Sequence, residues 1–147
     1  MTDQSFTTTF TVDRTPEETY ATINDVRAWW TGDIEGDTDR VGAEFTYRYA
    51  DVHRSTQRIT ELVPGRRVAW RVVEADLSFA RDRAEWTGTE IVFEIARHDG
   101  GSEVRFTHHG LVPEVECFEA CSTGWTMYVD GSLRRVLSSV SPAPVQA

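Results

Sequence analysis

The residue in this chain best placed to do chemistry is a histidine at the end of an alternating run. From Glu103 to His109, every second residue is Val104, Phe106 and His108, so strand periodicity turns the His108 imidazole to the same side as two apolar residues. Facing a cavity, such an imidazole can bind a ligand carbonyl or act as acid or base. At the edge of a core it bonds a neighbouring tyrosine or a backbone carbonyl instead. No serine, cysteine or aspartate nucleophile accompanies it at a recognisable spacing. No catalytic residue is therefore assigned, and binding is preferred over enzymatic turnover.

The two cysteines, Cys117 and Cys121, lie one helical turn apart and could be joined by His108 and His109 in a zinc set. Cys-x-x-x-Cys without a second matched pair is a poor metal signal, and cysteine is an ordinary core residue. Cys117 near a helix start is where a thiol pKa would fall, but reduced, inert thiols in a cytoplasmic protein are the plainer expectation. The acids Asp33, Glu35, Asp37 and Asp39 do not follow a calcium-loop pattern and read as a solvated loop. Neither a metal nor another cofactor is expected.

Aromatic residues are the stronger signal. Trp29, Trp30, Tyr47, Tyr49, Trp70, Trp86, Phe118, Trp125 and Tyr128 come from different parts of the chain. Buried tryptophan and tyrosine need partners for their polar tips, which suits a pocket with a few oriented donors as well as a core. The candidate ligand-binding residues are Trp30, Tyr47, Tyr49, Trp70, Phe79, Trp86, His108, Phe118, Cys121, Trp125 and Tyr128, with Phe79 and Trp86 expected to close the mouth.

The elements that position these residues follow from pattern. Ser5 to Val12 reads as a strand. Thr15-Pro16-Glu17-Glu18 then supplies a capping box with proline at the first helical position. A short helix runs to about Asn24, and Asn24-Asp25 can cap a second short helix carrying Val26, Trp29 and Trp30. From Gly42 the period is two: strands are expected over 45–49, 53–62, 66–73, 89–97 and 103–109, with turns at Pro64-Gly65 and Asp99-Gly100-Gly101. The stretch 74–88 reads as a short strand plus a loop. Glu44, Arg48, Arg54, Arg58, Arg71, Glu90, Glu94 and Arg105 form a solvated outer face of crossed charge pairs.

The last long element runs from Pro113 to about Val140. Phe118, Cys121, Trp125, Val129, Leu133, Val136 and Val140 recur at three and four, the stripe of an α-helix roughly 40 Å long. Gly124 and Gly131 interrupt it, each costing about 1 kcal/mol relative to alanine.

The whole reads as a single domain over 1–140 followed by a flexible tail, 141–147. With 147 residues, 39% hydrophobic and 11% aromatic, a globular core is expected. A formal net charge of −9, with all 15 basic residues arginine, argues against nucleic acid and anionic membrane as partners. Neither a secretory signal nor a transmembrane run is visible.

Strand, two short helices, an antiparallel run and one long helix make an α+β architecture, and here a resemblance becomes specific. The residues that carry it are 12–18 (VDRTPEE), 28–32 (AWWTG), 59–68 (ITELVPGRRV), 86–89 (WTGT), 108–114 (HHGLVPE), and Gly124-Trp125 ahead of Ser132-Leu133. Together they resemble the START-like, helix-grip superfamily, in the branch related to the C-terminal domain of the activator of the Hsp90 ATPase. That resemblance implies a curved antiparallel sheet of six to seven strands wrapped around the long C-terminal helix. It also implies reversible binding of a small lipophilic or aromatic molecule between sheet and helix. Two other readings follow from it: a co-chaperone-type interaction with a chaperone as partner, and a cyclase-like enzyme using His108. Monomer and dimer both remain open.

Overall fold

The computed structural model describes residues 5–30, 32–50, 53–77, 86–113 and 118–139. Strand β1, Phe6–Val12, leads into α1, Pro16–Asn24. The capping box forms as the spacing predicts. The Glu18 amide donates to Thr15 Oγ1 at 3.1 Å, and the Thr15 amide donates to Glu18 Oε1 at 3.0 Å, satisfying two otherwise orphaned donors. The second short helix is only a single 3-10 turn, Val26–Ala28, and Asp25 makes no side-chain cap. Trp29 and Trp30 follow that turn rather than sitting within a helix.

The sheet has seven strands in the order β1-β7-β6-β5-β4-β3-β2, every neighbouring pair antiparallel. Beyond β1 these are β2 Asp33–Gly36, β3 Glu44–Tyr49, β4 His53–Val63, β5 Arg67–Leu77, β6 Glu90–His98 and β7 Gly101–His109. The acidic stretch read as a loop thus contains β2, paired to β3 with Ile34 opposite Tyr47. β5 extends four residues past the expected end, into the stretch 74–88 that reads as a short strand plus a loop. The turn pairs behave as their residues require: Gly65 has φ 73°, and Asp99 and Gly100 have φ 47° and 82°, the type I′ geometry that suits a hairpin twist. Two register shifts between β4 and β5, at Thr56/Gln57 and Ile59/Glu61, add local twist and bend the sheet.

Side-chain alternation separates the two faces. Phe45, Ile59, Trp70, Val72, Ile91, Phe93, Val104, Phe106 and His108 are all fully buried on the inner face. The outer face carries exposed ion pairs, Arg58–Glu44 at 2.7 Å and Arg67 with Glu61 and Glu94 at 2.6 and 3.2 Å. At that exposure each contributes about 0–1 kcal/mol, so the buried face holds the fold.

The C-terminal helix lies on the inner face as three continuous pieces: α2 Phe118–Trp125, a π-helical segment Thr126–Leu133, and α3 Arg134–Ser139. Its buried residues are Cys121, Trp125, Val129, Leu133 and Leu137, spaced at four throughout. In a pure α-helix positions four apart drift by about 40°. The π segment, with its i→i+5 bonds, turns less per residue and draws them back onto one line. Leu137 therefore takes the buried place that strict α periodicity assigns to Val136. Polar contacts help tie the helix down: Thr8 Oγ1 donates to the Asp130 carboxylate at 2.8 Å, Ser132 Oγ to the Trp29 carbonyl at 2.6 Å, and Arg14 Nε to the Leu137 carbonyl at 2.8 Å. Among the described residues, no helix is long and apolar enough to cross a membrane. The expected tail at 141–147 lies outside them.

Candidate functional site

Beneath the helix, most of the space is filled by rings. Trp29 lies nearly parallel to Trp70 at 6.5 Å and meets Phe93 edge-on at 5.8 Å, while Phe45 and Phe93 meet Trp70 edge-on at 5.0 and 5.2 Å. Toward the end of the sheet where β3 turns into β4, the filling stops. There a cavity of about 220 Å³ opens between strands and helix. The short segment after α1 supplies Trp30. Tyr47 and Tyr49 come from β3 and His53 from β4, and Trp86 stands ahead of β6. The helix contributes Ala120, Cys121, Gly124, Trp125, Met127 and Tyr128.

Two ring stacks meet in one aromatic wall, with Trp30 and Trp125 in contact at 5.0 Å and tilted by 42°. Trp30 lies on Tyr47 at 4.0 Å with 13° between planes, and Trp86 lies on Trp125 at 5.6 Å with 10°. The first stack depends on a glycine. Gly32 has φ 154°, and a Cβ there would sit 2.6 Å from Tyr47 Cε1 and 2.8 Å from the Arg48 carbonyl oxygen. Only glycine lets the chain after Trp30 pass so close to the tyrosine ring. Gly124 works differently: a Cβ built on it meets nothing within 4 Å. Close packing against a strand does not explain this glycine. It leaves the cavity wall open where any side chain would enter.

Behind the Trp86–Trp125 wall, a hydrogen-bond chain sets the state of His108. The Trp125 indole N–H donates to His108 Nδ1 at 3.0 Å, and His108 Nε2 lies 2.8 Å from Thr89 Oγ1. Thr89 spends its one hydroxyl proton on the Trp86 carbonyl at 2.6 Å. His108 Nε2 must therefore carry the proton, and the ring is the neutral Nε2–H tautomer. Burial holds its pKa down to about 3, helped by the nearby His109 and His53. Protonating Nδ1 would break the bond from Trp125. The ring is 0% exposed and does not line the cavity, so it is a fully buried core histidine with both nitrogens engaged. That geometry leaves no ring nitrogen for acid–base work on a ligand.

His53 is the imidazole that does reach the cavity. Its Nε2 lies 3.0 Å from Ser55 Oγ, its ring meets Trp86 edge-on at 4.8 Å and Tyr47 at 5.1 Å, and desolvation lowers its pKa to about 4. Tyr47 is pushed well above the ordinary tyrosine range, by burial first and then by its Tyr128 neighbour, whose hydroxyl accepts from it at 3.5 Å. Both groups are neutral at physiological pH, and among the described residues no cation or carboxylate lines the site.

Of the residues picked out from sequence, Trp30, Tyr47, Tyr49, Trp86, Cys121, Trp125 and Tyr128 are brought together around the cavity. Trp70 lies one ring deeper, stacked 6.2 Å behind Trp30. Phe118 is half-buried against the core cluster, and His108 is screened by Trp86 and Trp125. Trp86 forms a wall rather than a lip, with its indole N–H donating to Cys121 Sγ at 3.3 Å. Phe79 and Cys117 lie outside the described residues. Sequence reasoning missed His53, Ala120 and Met127. His53 shares the parity of Ile59, so the strand period could have placed it inward. Among the described residues no cluster of three or more potential metal ligands exists.

Comparison with known proteins gives this architecture a family. Residues 4–138 match the family described as activator of Hsp90 ATPase homolog 1-like protein. The chain belongs to that family. Its fold is the helix-grip fold of the START-like superfamily. Among solved structures, the Aha1 dimer from Colwellia psychrerythraea is 25% identical, with a TM-score of 0.74 over 92% of this chain and 96% of its own. CalU16 from Micromonospora echinospora is 18% identical, with a TM-score of 0.68 over 94% of this chain and 77% of its own. DynU16, from the dynemicin biosynthetic locus, is 14% identical, with a TM-score of 0.67 over 96% of this chain and 49% of its own. At those identities the last two likenesses speak to the fold alone. No functionally curated protein matches.

Proposed function

We propose that the protein reversibly binds a small, flat, aromatic molecule in the cavity between β3–β4 and the C-terminal helix. The observation that carries this reading is the cavity itself: about 220 Å³, walled by two ring stacks that meet at Trp30 and Trp125 and left open by Gly124. A cavity of about 150 Å³ lined by apolar side chains admits benzene, so the volume here suits one or two fused rings. Burial of the ligand against the joined Trp30–Trp125 wall supplies affinity at about 25 cal/mol per Å², and ring stacking adds about 0.5–1.5 kcal/mol per pair. The Tyr128 hydroxyl and His53 orient the ligand. Trp70 and His108 act behind the walls, and no residue is assigned a catalytic role.

Titration with naphthalene, followed by tryptophan fluorescence and by ¹H–¹⁵N spectra, tests the reading. Saturable binding that Gly124→Leu abolishes, with the fold intact, is the expected result. Binding unaffected by Gly124→Leu, or none in the parent, refutes it.

The family match and the likeness to Aha1 favour a second reading, a co-chaperone-type interaction with an Hsp90-like ATPase. The extensive filling of the interior by Trp29, Trp70, Phe93 and Phe106 suits a module whose work is on its surface. Nucleotide-dependent capture of the chaperone by the purified protein, unchanged by Gly124→Leu, distinguishes it from ligand binding.

A further inference from the structure

Three successive inward positions on β4 are polar within a mainly apolar interior: His53, Ser55 and Gln57. Ser55 and Gln57 are 0% exposed. His53 and Ser55 satisfy each other, but Gln57 does not: neither its Oε1 nor its Nε2 has a hydrogen-bond partner among the described residues. The Trp70 indole N–H is likewise buried and unpartnered among them. Gln57 pairs across the sheet with Phe45 on one side and Val72 on the other, and Trp70 is two residues before Val72. On one face of a sheet such diagonal neighbours are about 7–8 Å apart, so the carboxamide and the indole share one region of the floor. Leucine or methionine would fill position 57 without leaving polar atoms unmatched.

One ring separates this region from the cavity. Trp30 lines the cavity on one side and stacks on Trp70, nearly parallel at 3°, on the other. Tyr47, which also lines the cavity, is on the strand position next inward-facing to Phe45, the partner of Gln57. The glycine at position 32, with its φ of 154°, follows Trp30 closely.

We infer that the Gln57 carboxamide and the Trp70 indole N–H are the polar floor of the ligand site, reached when the Trp30 ring moves aside, and that the ligand is a neutral planar aromatic bearing an amide-type donor–acceptor pair. This rests on the cavity being a ligand site. A carboxamide on the ligand meets the Gln57 amide in two complementary hydrogen bonds, its N–H to Oε1 and its carbonyl from Nε2, while the carbonyl's second lone pair accepts from Trp70. A carboxylate is disfavoured, because among the described residues no cation lines the site and burying an unpaired charge is costly.

Naphthalene and 2-naphthamide share a ring system and differ in this group. Wild-type protein is expected to bind 2-naphthamide at least about tenfold more tightly than naphthalene, the ratio one well-made buried hydrogen-bonded pair supplies. Gln57→Leu should bring that ratio near one and raise the urea midpoint of the unliganded protein. Equal affinities in the wild type with naphthalene clearly bound leave the cavity standing and overturn the polar floor. A ratio that persists in Gln57→Leu also overturns it. Failure of both probes to bind removes the ligand site and this inference together. Should Gln57→Leu not fold, the wild-type Trp70 indole N–H resonance decides. A shift on adding 2-naphthamide but not naphthalene supports the inference, and the same shift with both overturns it.

Discussion

Lowering the pH from 7 to 5 should destabilise the fold by on the order of 4 kcal/mol, through two imidazoles, provided the unfolded chain takes up protons at the ordinary histidine pKa. In the folded state burial holds His108 neutral down to about pH 3 and His53 down to about pH 4, against 6.5 for a free histidine. The unfolded state therefore binds more protons than the native state everywhere between 6.5 and those values. The stability associated with the two neutral rings is fully present above pH 6.5 and is lost as the pH falls toward 4 and 3. At pH 5 each free imidazole has gained about 2 kcal/mol by protonation, while the buried rings have gained almost nothing. His53 meets the cavity on one side, so its share is the smaller. Stopping at pH 5 keeps carboxylates, with free values near 4, mostly out of the measurement. Urea unfolding at pH 7, 6 and 5 reads the effect: with a slope of about 2 kcal/mol per M, the midpoint should fall by roughly 2 M. His53→Gln should remove up to half of the fall. A midpoint that does not move, or a fall that His53→Gln leaves untouched, refutes the assignment of these rings as buried and neutral.

Other perturbations separate wall, scaffold and surface. Gly124→Ala should raise stability by up to about 1 kcal/mol through helix propensity, since its Cβ meets nothing, while weakening naphthalene binding; a loss of stability would mean the position is packed. Trp125→Ala removes a ring that is 2% exposed and orphans His108 Nδ1, so a loss of about 3–5 kcal/mol is expected in denaturant unfolding, with probe binding abolished. Arg58→Ala removes only an exposed pair with Glu44 and should cost under about 1 kcal/mol without changing binding. Thr15→Ala deletes half of the capping box and should cost about 1 kcal/mol, read as faster amide exchange in the first turn of α1.

Where a residue's place depends on its immediate neighbours along the chain, it was readable. The capping box at Thr15 and Glu18, the turn glycines at 65 and 100, and the inward parity of Val104, Phe106 and His108 all follow from local rules of φ, ψ and alternation, and all are found. The extent of the second short helix, a single 3-10 turn at Val26–Ala28, and the existence of strand β2 were not, because each is too short for its own periodicity to stand out and each is held by what it packs on. The helical stripe was legible to Leu133 and then slipped by one residue, since a π segment is not marked by any residue type.

The site divides in the same way. That tryptophans and tyrosines from four parts of the chain converge beneath a long helix follows from sequence alone, because period two and period three-to-four put them on the faces that must meet. Which of them leave room between them does not. Trp30 and Trp70 have equal claims by pattern, yet one lines a cavity and the other is sealed behind it. His108 and His53 look alike as strand histidines, yet one is closed into a network with Trp125 and Thr89 while the other faces the opening. Periodicity settles direction one residue at a time. Empty space is what remains after many side-chain volumes have been fitted against one another in three dimensions, and only the tertiary structure carries out that sum.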